Sequence, residues 1–180
     1  ARVTLALEEA DRLQNLLKEI LLYAKPQTLQ LEELELNTLI EEMLLSLREM
    51  PEAEGKEIKF MPASTEVRIV GDKDKLKQVK INLIRNACEA IAKGEVVTCQ
   101  LEIDSSCDRV CISVRNGGTP IPAELLPRLT QPFCSGKPGG TGLGLAIVKR
   151  IIEAHSGTLS IQSNAITGTT VEIFLPLAKN

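Results

Sequence analysis

Four glycines lie close together in the last third of the sequence, directly before a segment with the hydrophobic spacing of an α-helix. They are Gly139, Gly140, Gly142 and Gly144, and Leu143, Ile147 and Ile151 follow at helical intervals. Backbone N–H groups in such a turn can approach an anion closely because glycine has no Cβ atom. The helix N-terminus behind the turn adds further donors and a partial positive charge. The stretch predicts a phosphate site, although a flexible loop before an ordinary core helix explains the same residues equally well.

The glycine stretch matches neither of the two common phosphate-binding loops. A P-loop closes with Gly-Lys-Ser/Thr, whereas Lys137 precedes the glycines here. A dinucleotide-binding loop directly follows a strand, whereas residues 127–138 contain too many prolines for a central strand. A phosphate bound at these glycines would therefore require a fold of a third kind.

Polar side chains also lie along one edge of a helix that we predict after Asp72, its expected N-cap. The apolar stripe of this helix contains Leu76, Val79, Leu83, Ala87 and Ala90. Asn82, Asn86 and Glu89 form a narrower polar stripe beside it. The two amides could cap neighbouring backbone groups, or their oxygens could line a cleft and contact a hard cation or its water ligands.

Composition excludes several classes of protein. The 180 residues, 43% of them hydrophobic, suffice for one full core. A net charge of −3, no basic run and only 2% aromatic residues make nucleic acid an unexpected partner. The sequence shows no signal peptide and no membrane-length apolar segment, and its five cysteines form no Cys-x-x-Cys pair, so we expect a cytoplasmic protein with reduced thiols.

The first 25 residues have the spacing of a helical bundle seam. Apolar residues alternate at intervals of four and three, at Ala6, Ala10, Leu13, Leu17, Ile20 and Ala24. Pro26 disfavours helix at the residue before it and should end this helix. The seam requires a partner helix, either from another chain or from a part of the protein outside this sequence.

The remaining elements alternate between helices and short strands. We expect a linker over residues 27–36, a second amphipathic helix from an Asn37 N-cap to about residue 49, and a short helix over 124–129. Strands are predicted at 58–60 and 67–70, with hairpins formed by 96–103 with 109–114 and by 159–161 with 171–175. Helices on one face of a largely antiparallel sheet give an α+β sandwich.

Three separated pieces of the sequence resemble one protein family, in the family's order. They are residues 82–90 (NLIRNACEA), 116–122 (NGGTPIP) and 131–137 (QPFCSGK) continuing into 139–150. They are similar to the N box, first glycine box, F box and second glycine box of the ATP-binding catalytic domain of bacterial sensor histidine kinases, in the superfamily that includes gyrase and Hsp90. The resemblance covers about residues 37–178 and implies a two-layer α/β sandwich.

The resemblance also implies an organisation for the whole chain. Residues 1–26 are similar to the second helix of the family's dimerisation and histidine-phosphotransfer bundle, residues 27–36 would be the linker, and 37–180 the catalytic domain. The expected chain is thus a fragment, and the full-length protein is expected to form a homodimer. Whether that protein is attached to a membrane stays open.

ATP and Mg²⁺ are the cofactors that the resemblance implies. Asn86 corresponds to the magnesium ligand, and Asn82 and Lys137 to catalytic residues near the phosphates. Phe133 corresponds to an aromatic residue that packs under the lid over ATP. The other residues implied in nucleotide binding are Asn116, Gly118, Gly140, Thr141, Gly142, Leu143, Gly144 and Thr169.

The reaction implied is transfer of the γ-phosphate to a histidine, with a response regulator as a further partner. The acceptor is expected on a helix that this sequence does not contain, because His155 corresponds to a structural residue at a helix end. Related ATP-hydrolysing enzymes carry a glutamate general base where Asn82 stands, and Asn82 cannot take a proton. An ATPase that uses Glu89, or a non-enzymatic nucleotide-sensing module, are the alternative functions.

Two residues depart from the family's first glycine box. Asn116 replaces an aspartate that accepts a hydrogen bond from the adenine amino group, which weakens binding by about 1 kcal/mol, or roughly tenfold. Pro120 replaces a glycine and stiffens the turn. We therefore expect weakened nucleotide binding, or its loss if the chain is a degenerate module.

Overall fold

The computed structural model of this chain describes residues 1–26, 28–135 and 142–179. Its helices are α1 (Arg2–Ala24), α2 (Leu36–Arg48), α3 (Lys73–Glu89) and α4 (Gly144–Ala154). Its strands are β1 (Glu32–Glu35), β2 (Glu57–Met61), β3 (Arg68–Gly71), β4 (Val96–Asp104), β5 (Arg109–Asn116), β6 (Thr158–Asn164) and β7 (Gly168–Pro176). Short 3₁₀ turns cover Pro51–Ala53 and Leu126–Arg128, and the second of these stands where a short helix was predicted.

The main sheet among the described residues has five strands in the order β2-β4-β5-β7-β6. All neighbours are antiparallel except β2 and β4, which run parallel. Alternate residues of β4, from Val97 to Leu101, are buried against the helices, whereas Thr98 and Gln100 between them are half-exposed. The antiparallel pairings of β4 with β5 and of β6 with β7 confirm both predicted hairpins, and the packing of α2, α3 and α4 on the sheet confirms the α+β sandwich.

A second, two-stranded sheet was not predicted. Strand β1 lies within the segment predicted as a linker and pairs antiparallel with β3, placing Leu34 opposite Ile69. Three of its four residues are glutamates, so its sequence lacks the hydrophobic signal of a strand. A strand therefore lies inside the segment predicted as a linker over 27–36, and the domain boundaries stay a prediction.

The predicted N-cap of α2 is wrong. Glu35, not Asn37, caps the helix, because its carboxylate accepts hydrogen bonds from the N–H groups of Thr38 (2.8 Å) and Val67 (2.7 Å). Burial alone would raise the pKa of Glu35, but these hydrogen bonds lower it below its ordinary value. The Asn37 side chain instead bonds the backbone of residues 63 and 65.

The start of α3 is fixed by a buried polar cluster. Asp72 caps the helix as predicted, accepting a hydrogen bond from the Lys75 N–H at 3.1 Å. Its own N–H donates to Nε2 of His155 at 3.0 Å, and Nδ1 of that ring donates to the carbonyl of Ile151 at 2.7 Å. Because Nε2 accepts from a backbone N–H, the imidazole is neutral with its proton on Nδ1. His155 is 7% exposed at the end of α4 and is structural, as expected.

Helix α1 packs on the rest of the protein only near its end. Leu16, Ile20 and Tyr23 contact the core, and the guanidinium of Arg150 on α4 lies 5.0 Å from the centre of the Tyr23 ring. The same guanidinium donates a hydrogen bond to the Tyr23 carbonyl. Most of the predicted seam is exposed, with Leu13 and Leu17 more than half accessible. None of the helices in the described ranges is both long and apolar enough to cross a membrane.

One lysine interrupts the apolar face of α3. Lys80 is only 4% exposed, and its Nζ atom lies 2.7 Å from the Sγ atom of Cys99, which is 1% exposed. A cavity of about 20 Å³ lies beside its side chain. Within the described part of the chain, no carboxylate forms an ion pair with Lys80. A buried amino group bonded only to a weakly polar thiol carries a desolvation cost that the contact offsets poorly.

Replacing Lys80 by methionine should therefore stabilise the protein. Methionine keeps the unbranched stem and removes the amino group, so Lys80→Met should raise the free energy of unfolding by about 1–3 kcal/mol in urea denaturation. Lys77→Met, at a half-exposed position of the same helix, is the matched control and should change it by less than about 0.5 kcal/mol. If Lys80→Met lowers the free energy of unfolding and Lys77→Met does not, the contact between the Lys80 amine and the Cys99 thiol is net favourable.

Candidate functional site

Asn116 is the last residue of β5. It is 7% exposed and pairs across the sheet with Thr169 on β7 and Val97 on β4. Its Nδ2 atom donates a hydrogen bond to the carbonyl of Gly117 at 2.5 Å. With the nitrogen occupied in this bond, Oδ1 is the atom that can accept a hydrogen bond from a ligand.

Gly118 brings the turn after β5 against the end of α3. Its φ of +92° lies in the left-handed region, and a Cβ atom there would stand 2.4 Å from the carbonyl oxygen of Ala90. Only glycine permits both the conformation and this contact. The first glycine box is therefore held directly beside the C-terminus of the N-box helix.

Thr169 continues the polar edge of the sheet. It is 7% exposed, and its hydroxyl lies 2.8 Å from that of Ser163 on β6. The Ser163 hydroxyl also accepts a hydrogen bond from the N–H of Ile121 at 2.9 Å, which attaches the turn after β5 to the sheet. Sequence reasoning missed Ser163, because a serine in a strand of alternating pattern indicates only that the side chain faces away from the core.

Asn86 and the first residue of α4 face each other across the helix pair. A Cβ atom on Gly144 would lie 3.7 Å from Nδ2 and 4.0 Å from Oδ1 of Asn86, so the half-buried amide stands directly over this glycine. The N-cap position of α4 is Leu143, which makes no side-chain cap hydrogen bond. An amide oxygen and the backbone donors of a helix N-terminus are thus brought to one place.

Asn82 lies one turn earlier on α3 and is engaged by the protein itself. It is 7% exposed, its Nδ2 atom donates to the Gly144 carbonyl at 3.3 Å, and its Oδ1 atom accepts from Nε2 of Gln78 at 2.8 Å. Glu89, the third member of the predicted polar stripe, is exposed at the C-terminus of α3. The structure therefore brings the two asparagines to α4, whereas the glutamate lies at the exposed end of the stripe.

The predicted lid falls largely outside the described residues. Lys137, Gly140 and Thr141 lie outside them, while Gly142, Leu143 and Gly144 are described. Gly142 has a φ of +72°, and a Cβ atom there would stand 2.5 Å from the backbone of Phe133. Phe133 itself is 64% exposed, and its expected packing under the lid stays a prediction because most of the lid lies outside the described residues.

The chemistry available at this site is binding and orientation. Asn82 and Asn86, the polar side chains that the described part of α3 brings to Gly144, are amides and cannot accept a proton from water at neutral pH as a general base must. Amide oxygens suit a hard cation, and helix N–H groups suit phosphate. The described residues therefore fit phosphoryl transfer, in which positioning and charge neutralisation dominate, better than water activation.

Comparisons with known proteins agree with this geometry. The family described as histidine kinase-, DNA gyrase B- and HSP90-like ATPases matches residues 71–179. The sensor histidine kinase ZraS of Escherichia coli (strain K12) is 36% identical over 170 residues. That match covers 94% of this chain but only 36% of ZraS, so the chain spans about a third of this relative's length.

Solved structures give the same family. The isolated catalytic domain of histidine kinase ThkA is 33% identical, with a TM-score of 0.72 over 82% of this chain and 95% of that one. ThkA in complex with the response regulator TrrA is 31% identical, with a TM-score of 0.81 over 98% and 51% of the two chains. Full-length ShkA in complex with AMPPNP is 25% identical, with a TM-score of 0.84 over 99% and 39%.

These matches confirm the family and fold predicted from the three boxes. The matched region runs from the end of β3 to the end of β7, so it contains the two asparagines of α3, the turn after β5 and the N-terminus of α4. The chain belongs to the histidine kinase-, DNA gyrase B- and HSP90-like ATPases, and it contains the ATP-binding catalytic domain of a sensor histidine kinase.

Proposed function

We propose that this chain binds Mg-ATP between α3, α4 and the end of β5, and that it supplies the catalytic half of an autophosphorylating histidine kinase. The observation that carries the proposal is the Asn86 amide standing over Gly144, the first residue of α4. That contact places an oxygen ligand for a cation beside backbone donors for phosphate. The experiment that tests it is calorimetric titration with a non-hydrolysable ATP analogue, with and without Mg²⁺.

The residues present fit magnesium. Mg²⁺ prefers oxygen ligands, keeps several waters and takes the rest of its ligands from one or two side chains and the phosphates. The half-buried amide of Asn86 can supply one such oxygen. When bound, the ion neutralises charge that develops on the transferring phosphate.

The adenine ring is placed at the sheet edge in this proposal. The Oδ1 atom of Asn116 would accept a hydrogen bond from the adenine amino group, since its Nδ2 atom is bonded to Gly117. Thr169, its cross-strand neighbour, would contact the ring nearby, and Gly118 holds the turn after β5 against the end of α3. The phosphates would then extend toward residues 142–144, with Lys137, Gly140 and Thr141 as further proposed contacts outside the described residues.

The phosphate acceptor must lie outside this sequence. His155 is the single histidine of the chain, and both of its ring nitrogens are in hydrogen bonds within the core. We place the acceptor on a helix that packs against α1, whose leucines at 13, 17 and 21 are exposed at bundle spacing. A homodimer built on that bundle and a response regulator complete the proposed two-component system, as the complex of ThkA with TrrA supports.

Removing the Asn86 amide should abolish the magnesium-dependent part of nucleotide binding. Asn86→Ala should bind the analogue equally with and without Mg²⁺, whereas the parent should bind more tightly with the ion. Asn15→Ala, on the exposed face of α1, is the matched control and should behave as the parent. An unchanged unfolding transition must accompany the loss, and magnesium-dependent binding by Asn86→Ala at the parent affinity would refute the ligand assignment.

Restoring the carboxylate at position 116 should tighten adenine binding. A charge-assisted bond to the adenine amino group is worth about 1 kcal/mol more than a neutral one, or roughly tenfold in affinity. The gain for Asn116→Asp should appear with the ATP analogue and reverse with the GTP analogue, because guanine carries an acceptor where adenine carries its amino group. If Asn116→Asp leaves the ratio of the affinities for the ATP and GTP analogues unchanged, the base does not bind at position 116.

A further inference from the structure

Two consecutive side-chain amide bonds join α3 to the first turn of α4. Gln78 donates through Nε2 to Oδ1 of Asn82 at 2.8 Å, and Asn82 donates through Nδ2 to the Gly144 carbonyl at 3.3 Å. Gln78 and Asn82 are four residues apart and therefore lie on the same face of α3. We call the two side chains together with that carbonyl the amide bridge.

The amide bridge has a direction. The Gly144 carbonyl can only accept, so Asn82 must present its nitrogen to α4 and its oxygen to Gln78. Gln78 stabilises this orientation by supplying a donor to that oxygen. A side chain at position 78 that could only accept a hydrogen bond would favour an Asn82 amide with its oxygen and nitrogen exchanged. Oδ1 of Asn82 would then lie against the carbonyl oxygen of Gly144. Asn82 is 7% exposed, so water replaces these bonds poorly.

The amide bridge acts where the proposed phosphate site begins. Gly144 is the first residue of α4, and the Asn86 amide stands over the same glycine. The bridge is a direct side-chain hydrogen bond between α3 and this first turn, at a helix whose N-cap residue, Leu143, makes no side-chain cap hydrogen bond. The separation between the amide of Asn86 and the backbone donors of α4 therefore depends on it.

We infer that Gln78 is a positioning residue for the nucleotide site, acting through Asn82 to fix the first turn of α4 against α3. Asn82 in the nucleotide-free protein is likewise a positioning residue, because both ends of its amide bond the protein. The expected effect of Gln78 on ATP affinity rests on the proposed function, whereas its expected effect on the first turn of α4 does not.

The test compares variants of opposite hydrogen-bonding direction at position 78. Gln78→Glu can only accept at neutral pH, and Gln78→Lys can only donate; both retain an unbranched stem and a good helix propensity. In the nucleotide-free protein, the backbone amides of Ile147 and Val148, the first in α4 with helical hydrogen-bond acceptors, should exchange with solvent about tenfold faster in Gln78→Glu, while Gln78→Lys should restore most of the parent's protection. Equal protection in the two variants would overturn the inference.

The charge of the two variants requires its own control, because a carboxylate repels phosphate and an ammonium attracts it. Affinity for the magnesium complex of a non-hydrolysable ATP analogue is therefore measured for both variants, and again in an Asn82→Ala background. A difference between them that largely disappears without Asn82 supports action through that residue. A difference that persists unchanged would be direct electrostatics and would overturn the positioning role in nucleotide binding.

Failure of the inference is distinguishable from failure of the proposed function. If Gln78→Glu loses protection at α4 but the parent does not bind the ATP analogue, the amide bridge is supported and the proposed ATP site is rejected. If the parent binds the analogue but Gln78→Glu keeps the parent's protection at α4, the ATP site is supported and the amide bridge is rejected. If Gln78→Glu does not fold, Gln78→Met is used instead, because it removes the hydrogen-bond donor without adding charge. It should give an intermediate increase in amide exchange. Protection equal to that of the parent in Gln78→Met would overturn the inference.

Discussion

The docking of α4 against α3 is the interaction on which the rest of the site depends. Helix α3 holds its asparagines in a fixed position because both of its ends are anchored. At the start, Asp72 caps the helix and its own N–H is bonded to His155 at the end of α4. At the other end, Nζ of Lys56 donates to the Cys88 carbonyl at 2.7 Å. The contact between Asp72 and His155 joins the two helices at one end, and the bond from Asn82 to Gly144 joins them near the proposed phosphates.

Much of this arrangement follows from local sequence, and the remainder does not. The alternation in β4 and β5 and the aspartate before α3 predict elements because each signal lies within the element it specifies. The caps and strands that were missed depend on distant partners. Glu35 caps α2 while also bonding Val67, 32 residues away, and β1 is a strand only because β3 lies beside it. No local pattern could indicate either pairing.

The candidate site divides in the same way. Asn86, Asn116 and the second glycine box were identifiable because the family's boxes carry them as contiguous motifs. Gln78 and Ser163 lie outside those boxes but bond residues inside them, Gln78 through the Asn82 side chain and Ser163 through the N–H of Ile121. Such supporting residues have ordinary types for a helix surface and a strand edge. Their role becomes visible only when the fold places their polar atoms within bonding distance.

The four described polar side chains to which we assign nucleotide or metal contacts are neutral. Asn82, Asn86, Asn116 and Thr169 carry no charge, and the whole chain has a net charge of −3, so its overall field does not attract a highly anionic nucleotide. Affinity in our proposal must come from helix N–H groups, from Lys137 and from magnesium. Neutral amides contribute direction, because each presents a donor at one end and an acceptor at the other. The groups that set those directions, Gln78 for Asn82 and the Gly117 carbonyl for Asn116, are therefore as much a part of the site as the amides themselves.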